Sequence, residues 1–188
     1  MTRTSPRSPR TTYFTAATLD GYIADEHDSL DWLFVQEQRD EGPLSYAEFI
    51  ADIGAICMGA TTYEWVRDHL ARTAEKWPYD MPAFVFSHQP HEAVDGADVR
   101  FVSGDVRPVH AQMAEAAAGR DLWVVGGGDL AGQFAEAGLL DQVIVSIAPV
   151  TLGAGRPLLP RKLDLALVET LRNGDFVCAR YDVRGPRD

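Results

Sequence analysis

Three consecutive glycines, Gly126, Gly127 and Gly128, close an apolar run from Leu122 to Val125. A helical pattern begins at once, with Leu130, Phe134, Ala137 and Leu140 near the i, i+4, i+7 spacing. Strand, glycine loop and helix together can hold an anion. Glycine lets a ligand approach the backbone closely, and the free N–H groups of a helix start favour negative charge, most often a phosphate. A second unit of the same kind runs Met58-Gly59-Ala60-Thr61-Thr62-Tyr63-Glu64. Two such helix starts facing one ligand would suit a pyrophosphate. A third candidate is Asp20, in Leu19-Asp20-Gly21. Its carboxylate can relay a proton or orient a hydroxyl, or it can simply form the turn before Gly21.

Gly126-x-Gly128-x-x-Ala131 also satisfies the dinucleotide fingerprint of a Rossmann fold. Two features count against that fold. Several strands precede the motif, and the next strand ends Ala148-Pro149-Val150, with no acid to hold a ribose. Close packing of a helix on a sheet is a further explanation of three glycines, and the motif alone leaves it open.

These residues need strands and helices to position them. Tyr13 to Thr18 reads as a strand, running into the Asp20-Gly21 turn and apolar Ile23. Asp28 to Trp32 reads as a polar loop anchored by Trp32. Ser45 followed by Glu48 is a capping box ahead of Phe49, Ile50 and Ile53. Ala55 to Met58 is a continuous apolar run, as in a strand buried on both faces. Tyr63, Trp65, Val66 and Leu70 mark a helix. Ala83 to Phe86 and Val99 to Val102 are short strands, and Val109, Met113 and Ala117 mark another helix. Val143 to Val150 is a strand. Leu165 to Leu171 and Phe176 to Val183 alternate and are joined by Arg172-Asn173-Gly174-Asp175, a hairpin signal. The order predicts an α/β protein with helices on both faces of a mostly parallel mixed sheet, closed by a C-terminal antiparallel hairpin.

Composition bounds the function. The 188 residues fit one domain. A net charge of −11 disfavours nucleic acid and anionic membranes. Cys57 and Cys178 lie in separate apolar runs and read as buried thiols of a cytoplasmic protein. Residues His27, His69, His88, His91 and His110 give no zinc spacing, so no metal is expected. No stretch is apolar for the length of a membrane span. Residues 1–12 carry charge and prolines without an apolar core and read as a disordered tail before a domain spanning 13–184.

Five motifs in this order resemble the dihydrofolate reductase fold, and within it the reductase domain of the bacterial riboflavin-pathway deaminase/reductase. They are Thr18 to Ala24, Met58 to Glu64, Val85-Phe86-Ser87, Val124 to Leu130, and Pro149-Val150-x-Leu152-Gly153-x-Gly155-x-Pro157-Leu158. The zinc pattern of the deaminase domain is absent from the sequence. The resemblance implies a three-layer α/β/α fold and an NAD(P)H-dependent reductase that passes hydride to a C=N or C=O carbon of a small heterocycle. It implies NADPH, with NADH possible, across the carboxyl ends of the central strands. Gly59, Thr61 and Thr62 would receive the pyrophosphate. Ser87 and His88 would lie near the adenosine. Gly127, Gly128, Asp129 and Leu130 would form a second phosphate cradle, with a cis peptide at Gly126–Gly127. Ala17 and Ile23 would flank the nicotinamide, and Asp20 would serve catalysis. Relatives commonly carry arginine, paired with the 2′-phosphate, where this chain has Ala60. A homodimer is expected on the same ground. Trp32, Trp65 and Trp77 could wall the pocket, although core packing explains them as well, and Arg156 could meet an anionic substrate. Glu48 and Asp52 read as a solvated helix face, which disfavours folate reduction. The rival reading is a nucleotide-binding or regulatory module without turnover.

Overall fold

The computed structural model describes residues 8–42 and 44–187. An eight-stranded sheet forms its middle layer. Its strands are β1 (Thr11–Thr18), β3 (Ile53–Gly59), β4 (Ala83–Phe86), β5 (Val99–Val102), β6 (Asp121–Gly126), β7 (Gln142–Ala148), β9 (Leu163–Asn173) and β10 (Phe176–Pro186). They lie in the order β5-β4-β3-β6-β1-β7-β10-β9. The six strands from β5 to β7 run parallel, and β10 pairs antiparallel with both β7 and β9. Two short strands, β2 (Tyr22–Ala24) and β8 (Arg156–Pro157), make a separate antiparallel pair. The predicted mixed sheet with its closing hairpin is what the chain forms.

Side-chain alternation along the central strands builds two cores. Tyr13, Ala55, Cys57, Phe84, Leu122 and Val124 face one side. There they meet Val106, Val109 and Met113 of α4 (Val106–Ala116) and Leu130, Ala131 and Phe134 of α5 (Gly128–Glu136). Phe14, Ile56, Met58, Val85 and Trp123 face the other side. That side packs against α3 (Ala60–Thr73) through Tyr63, α1 (Asp31–Phe34) through Trp32, and α2 (Tyr46–Ile50) through Phe49. Period-two alternation thus separates the helices into two outer layers, giving the expected three-layer arrangement. The continuous apolar run of β3 is buried on both faces, as a central parallel strand requires.

The first strand starts earlier than the sequence predicts. Residues 1–7 of the predicted tail lie outside the described residues. Thr11 and Thr12 are buried strand residues rather than tail. Two carboxylates fix this beginning: Asp121 accepts from the Arg10 N–H at 2.8 Å and Asp141 from the Thr11 N–H at 2.8 Å. Ser45 caps α2 by accepting from the Glu48 N–H at 3.3 Å, but the helix ends at Ile50 and Ile53 already belongs to β3. The last strand extends through Pro186, beyond the predicted end at Val183.

Candidate functional site

The connection from β3 runs outward through α3 to β4, while that from β6 runs the other way through α5 to β7. β3 and β6 are neighbours, and Met58 pairs with Gly126 in the register. With right-handed crossovers in opposite directions, the two helices leave on opposite faces of the sheet. Their first turns therefore begin side by side at the carboxyl edge of two adjacent strands. This is the switch point at which open α/β sheets place their ligands.

A cavity of about 1000 Å³ opens there. Gly59, Ala60, Thr61 and Thr62 line it from the start of α3, and Gly126, Gly127, Gly128, Asp129 and Leu130 from the start of α5. Gly59 is the N-cap of α3 and Gly127 that of α5, and neither helix has a side-chain cap. The contrast with α2 and α4 is informative, because Ser45 and Asp105 cap those helices with their own side chains. The first N–H groups of α3 and α5 are thus left available to a ligand. A Cβ on Gly126 would sit 3.4 Å from the Thr62 hydroxyl, so the glycine keeps the two helix starts close. The Gly126–Gly127 peptide is cis, as the resemblance implies.

The structure brings most of the sequence-predicted cofactor residues to this cavity: Ile23 joins the two helix starts, its Cδ1 lying 4.0 Å from where a Gly127 Cβ would be. The Asp129 carboxylate accepts from Gln133 at 2.9 Å and Arg161 at 2.8 Å, which lower its pKa and hold it ionised. Its partners neutralise a charge that would otherwise oppose a phosphate.

Other predicted residues lie elsewhere. Ala17 is fully buried with Val145 and Ala179, away from the cavity wall. Ser87 and exposed His88 follow β4 outside the cavity. Ser87 Oγ lies 2.7 Å from His91 Nε2, and His91 Nδ1 lies 3.4 Å from Glu64 Oε1. His91 therefore ties the loop after β4 to α3, a role no spacing in the sequence reveals. Asp20 is exposed and does not line the cavity. Its carboxylate accepts from the Thr18 hydroxyl at 2.5 Å, the Gly153 N–H at 2.7 Å and the Leu152 N–H at 3.0 Å. Thr18 first, then the two amides, hold its pKa below the usual carboxylate value. Here the turn-forming role of Asp20 is the one the geometry displays.

The opposite wall is aromatic. Phe14, Tyr46, Tyr79, Trp123 and Phe176 line it. The Trp123 indole contacts the rings of Tyr46 and Tyr79 edge-on at 5.8 and 5.7 Å, and its N–H donates to the Phe14 carbonyl at 3.0 Å. Among the three tryptophans considered from sequence, Trp65 lines the cavity. Trp32 is a core residue and Trp77 packs on Tyr63 and Tyr79. Trp123 could have been found, because it alternates with Val125 on the strand that ends at the glycines. Phe176 could not, since only the hairpin brings it back from the far end of the chain. Arg156 reaches the cavity, but its guanidinium is paired with Asp28 at 2.6 and 2.9 Å.

Sheet order, switch point and paired uncapped helix starts define a three-layer α/β protein with a ligand cleft at its switch point. The chain belongs to the RibD C-terminal domain family, which it matches over residues 9–177. It is 31% identical over 176 residues to the uncharacterized protein YwjB of Bacillus subtilis, covering 92% of this chain and 97% of YwjB. A crystal structure of a Shewanella sp. PV-4 protein assigned to riboflavin biosynthesis superposes with a TM-score of 0.76 at 25% identity, over 93% of this chain and 99% of that one. The Thermotoga maritima diaminohydroxyphosphoribosylaminopyrimidine deaminase/5-amino-6-(5-phosphoribosylamino)uracil reductase shares the fold, with a TM-score of 0.62 at 14% identity. The match covers 94% of this chain and 57% of the bifunctional one. Among the described residues no helix is long and apolar enough to cross a membrane, and no cluster of three or more His, Cys, Asp or Glu side chains has a metal-holding arrangement.

Proposed function

We propose that this protein is an NAD(P)H-dependent reductase of a small heterocyclic substrate. The observation that carries the reading is the pair of uncapped, glycine-started helices, α3 and α5, meeting across one cavity at the ends of β3 and β6. A dinucleotide pyrophosphate fits this cradle, because backbone N–H groups and two helix dipoles favour its charge where a side chain would obstruct it. When bound, a reduced nicotinamide supplies a hydride for a C=N or C=O carbon. The chain's own part is to hold the phosphates at residues 59–62 and 126–130 and to present the substrate against Ile23 and the aromatic wall. Among the described residues the carboxylates that line the cavity are Asp28 and Asp129, each held by an arginine, so the accompanying proton would come from solvent.

A second reading, a dinucleotide-binding module without turnover, draws on the position of Asp20, which lies outside the cavity and clamps the loop at 152–153. Titration of NADPH and NADH by tryptophan fluorescence, followed by absorbance loss with the aminopyrimidine ribosyl phosphate and its dephosphorylated form, separates the two. Binding and turnover are expected. Failure to bind either dinucleotide overturns the reductase, and binding without turnover of any heterocycle favours the module.

The same reading expects a cytoplasmic homodimer. Its supporting feature is β9, the strand that ends the sheet, which exposes Leu165, Leu167, Val168 and Leu171. An exposed apolar edge strand is a natural surface for a second copy. Light scattering should give twice the chain mass, and Leu167→Lys should reduce it to one chain.

A further inference from the structure

Resting on the reductase reading, we infer that the substrate is a flat, uncharged aromatic heterocycle without a phosphate group, stacked on the wall formed by Phe14, Tyr46, Trp123 and Tyr79. The wall is preformed. Phe14 stacks on Phe49 with ring centroids 4.3 Å apart, the Trp123 indole stands at 88° to Phe14, and Tyr46 closes over both. Phe14 and Trp123 are 8% and 5% exposed and make the floor, while Tyr46, 40% exposed, stands at the rim. Such faces reward a planar ring by stacking and edge contacts.

Charge disfavours a phosphorylated substrate. A phosphate needs a cation or free backbone donors to replace its hydration. The donors at the helix starts are those assigned to the dinucleotide. Arg156, the one cation of the cavity wall among the described residues, is held bidentately by Asp28. Arg161, beside the start of α5, is shared by Asp129 and Glu136 at 2.8 and 2.9 Å. Arg39 and Arg172 line an adjoining cleft that shares Gln36 and Gln38 with the cavity, and the Arg172 guanidinium donates to the Gly174 carbonyl at 2.9 Å. A dianion entering the aromatic part therefore meets, among the described residues of its wall, no cation but the paired Arg156, on a chain whose net charge is −11. Neutral polar groups line the same space for a heterocycle's edge: the Gln38 amide, and the Thr15 and Ser146 hydroxyls and Gln36 amide, which also bond Ala16, Cys178 and Trp32. Burial raises the pKa values of Tyr46 and Tyr79, so these phenols stay neutral donors.

Riboflavin and riboflavin 5′-phosphate make a matched pair of probes, because they share one flat ring and differ by one phosphate. Each is titrated into the full chain by quenching of tryptophan fluorescence, with NADPH and NADH titrated separately. Riboflavin is expected to bind at least tenfold tighter than its phosphate. Tyr46→Ala should weaken riboflavin at least fivefold, and Tyr46→Phe should restore it. Equal or tighter binding of the phosphate, no binding of either flavin, or indifference to Tyr46→Ala overturns the inference. Binding of riboflavin in a protein that takes neither dinucleotide would instead refute the cofactor assignment while leaving the ring preference standing.

Discussion

Ala60 is the position at which this cavity should decide between two dinucleotides. It is the first residue of α3, half-buried, directly after the N-cap Gly59, and it lines the cavity. The resemblance places an arginine there in relatives, paired with the 2′-phosphate of NADPH. Alanine offers that phosphate no partner at this position, and the Arg156 guanidinium on the cavity wall is taken up by Asp28. The wild-type protein should therefore bind NADPH and NADH within about fivefold of each other. Ala60→Arg should change this. A guanidinium about 4 Å from a phosphate charge at an effective dielectric of about 20 gains roughly 4 kcal/mol of Coulomb energy. Solvent at a half-buried helix start and the loss of side-chain freedom remove much of it. The net gain should resemble that of other hydrogen bonds to charged groups, about 1.5–3 kcal/mol. That corresponds to roughly 10–150-fold tighter NADPH. NADH, which lacks the phosphate, should move by less than about threefold, and the gain should shrink with added salt. Fluorescence titration of both dinucleotides at two ionic strengths reads the result. Equal effects on the two, or none on NADPH, would refute the placement of the adenosine ribose beside α3.

Two further substitutions test the frame around the site. A Cβ on Gly128 would collide with the backbone carbonyls of Pro157 and Leu158, which close over the start of α5. Gly128→Ala should cost about 1–3 kcal/mol, lowering Tm by roughly 2–10 °C and weakening dinucleotide binding; an unchanged Tm would show that this segment yields freely. Asp20→Asn addresses acid stability. The folded pKa of Asp20 is lowered by Thr18 and two amides, so its contribution is present above the unfolded value and is lost as pH falls through the folded one. The Tm gap between wild type and Asp20→Asn should therefore narrow from about pH 6 to about pH 3, and a constant gap would show that the charge plays no part. The same variant should retain turnover, since the carboxylate stands outside the cavity; a large loss of turnover with intact dinucleotide binding would return Asp20 to a catalytic role.

Much of the fold was legible because its signals are local. The continuous apolar run of β3 read as a strand buried on both faces, and the glycines after β3 and β6 marked where helices begin against the cavity. The Asn173-Gly174 turn announced the closing hairpin. Elements held by distant partners were not legible. The start of β1 depends on Asp121 and Asp141, more than a hundred residues away. α1, β2 and β8 are short and without periodicity of their own; β2 and β8 form by pairing with each other across the chain, and residues of all three line the cavity.

For the site, the sequence by itself determined the chemistry of the proposed phosphate cradle. Glycines before the helix starts supply no side chain to cap the first backbone N–H groups. It also determined that no arginine stands at position 60. Which ionisable groups face the ligand was decided only by the tertiary structure. Asp20 and Arg156 carry the right chemistry for catalysis and anion binding, yet each side chain is taken by a partner from another part of the chain, Leu152 and Gly153 for one and Asp28 for the other. The aromatic wall likewise gathers Phe14, Tyr46, Tyr79, Trp123 and Phe176 from five separate elements and loops. A side chain's type is written locally, but its partner, and therefore its availability, is set by which strands become neighbours.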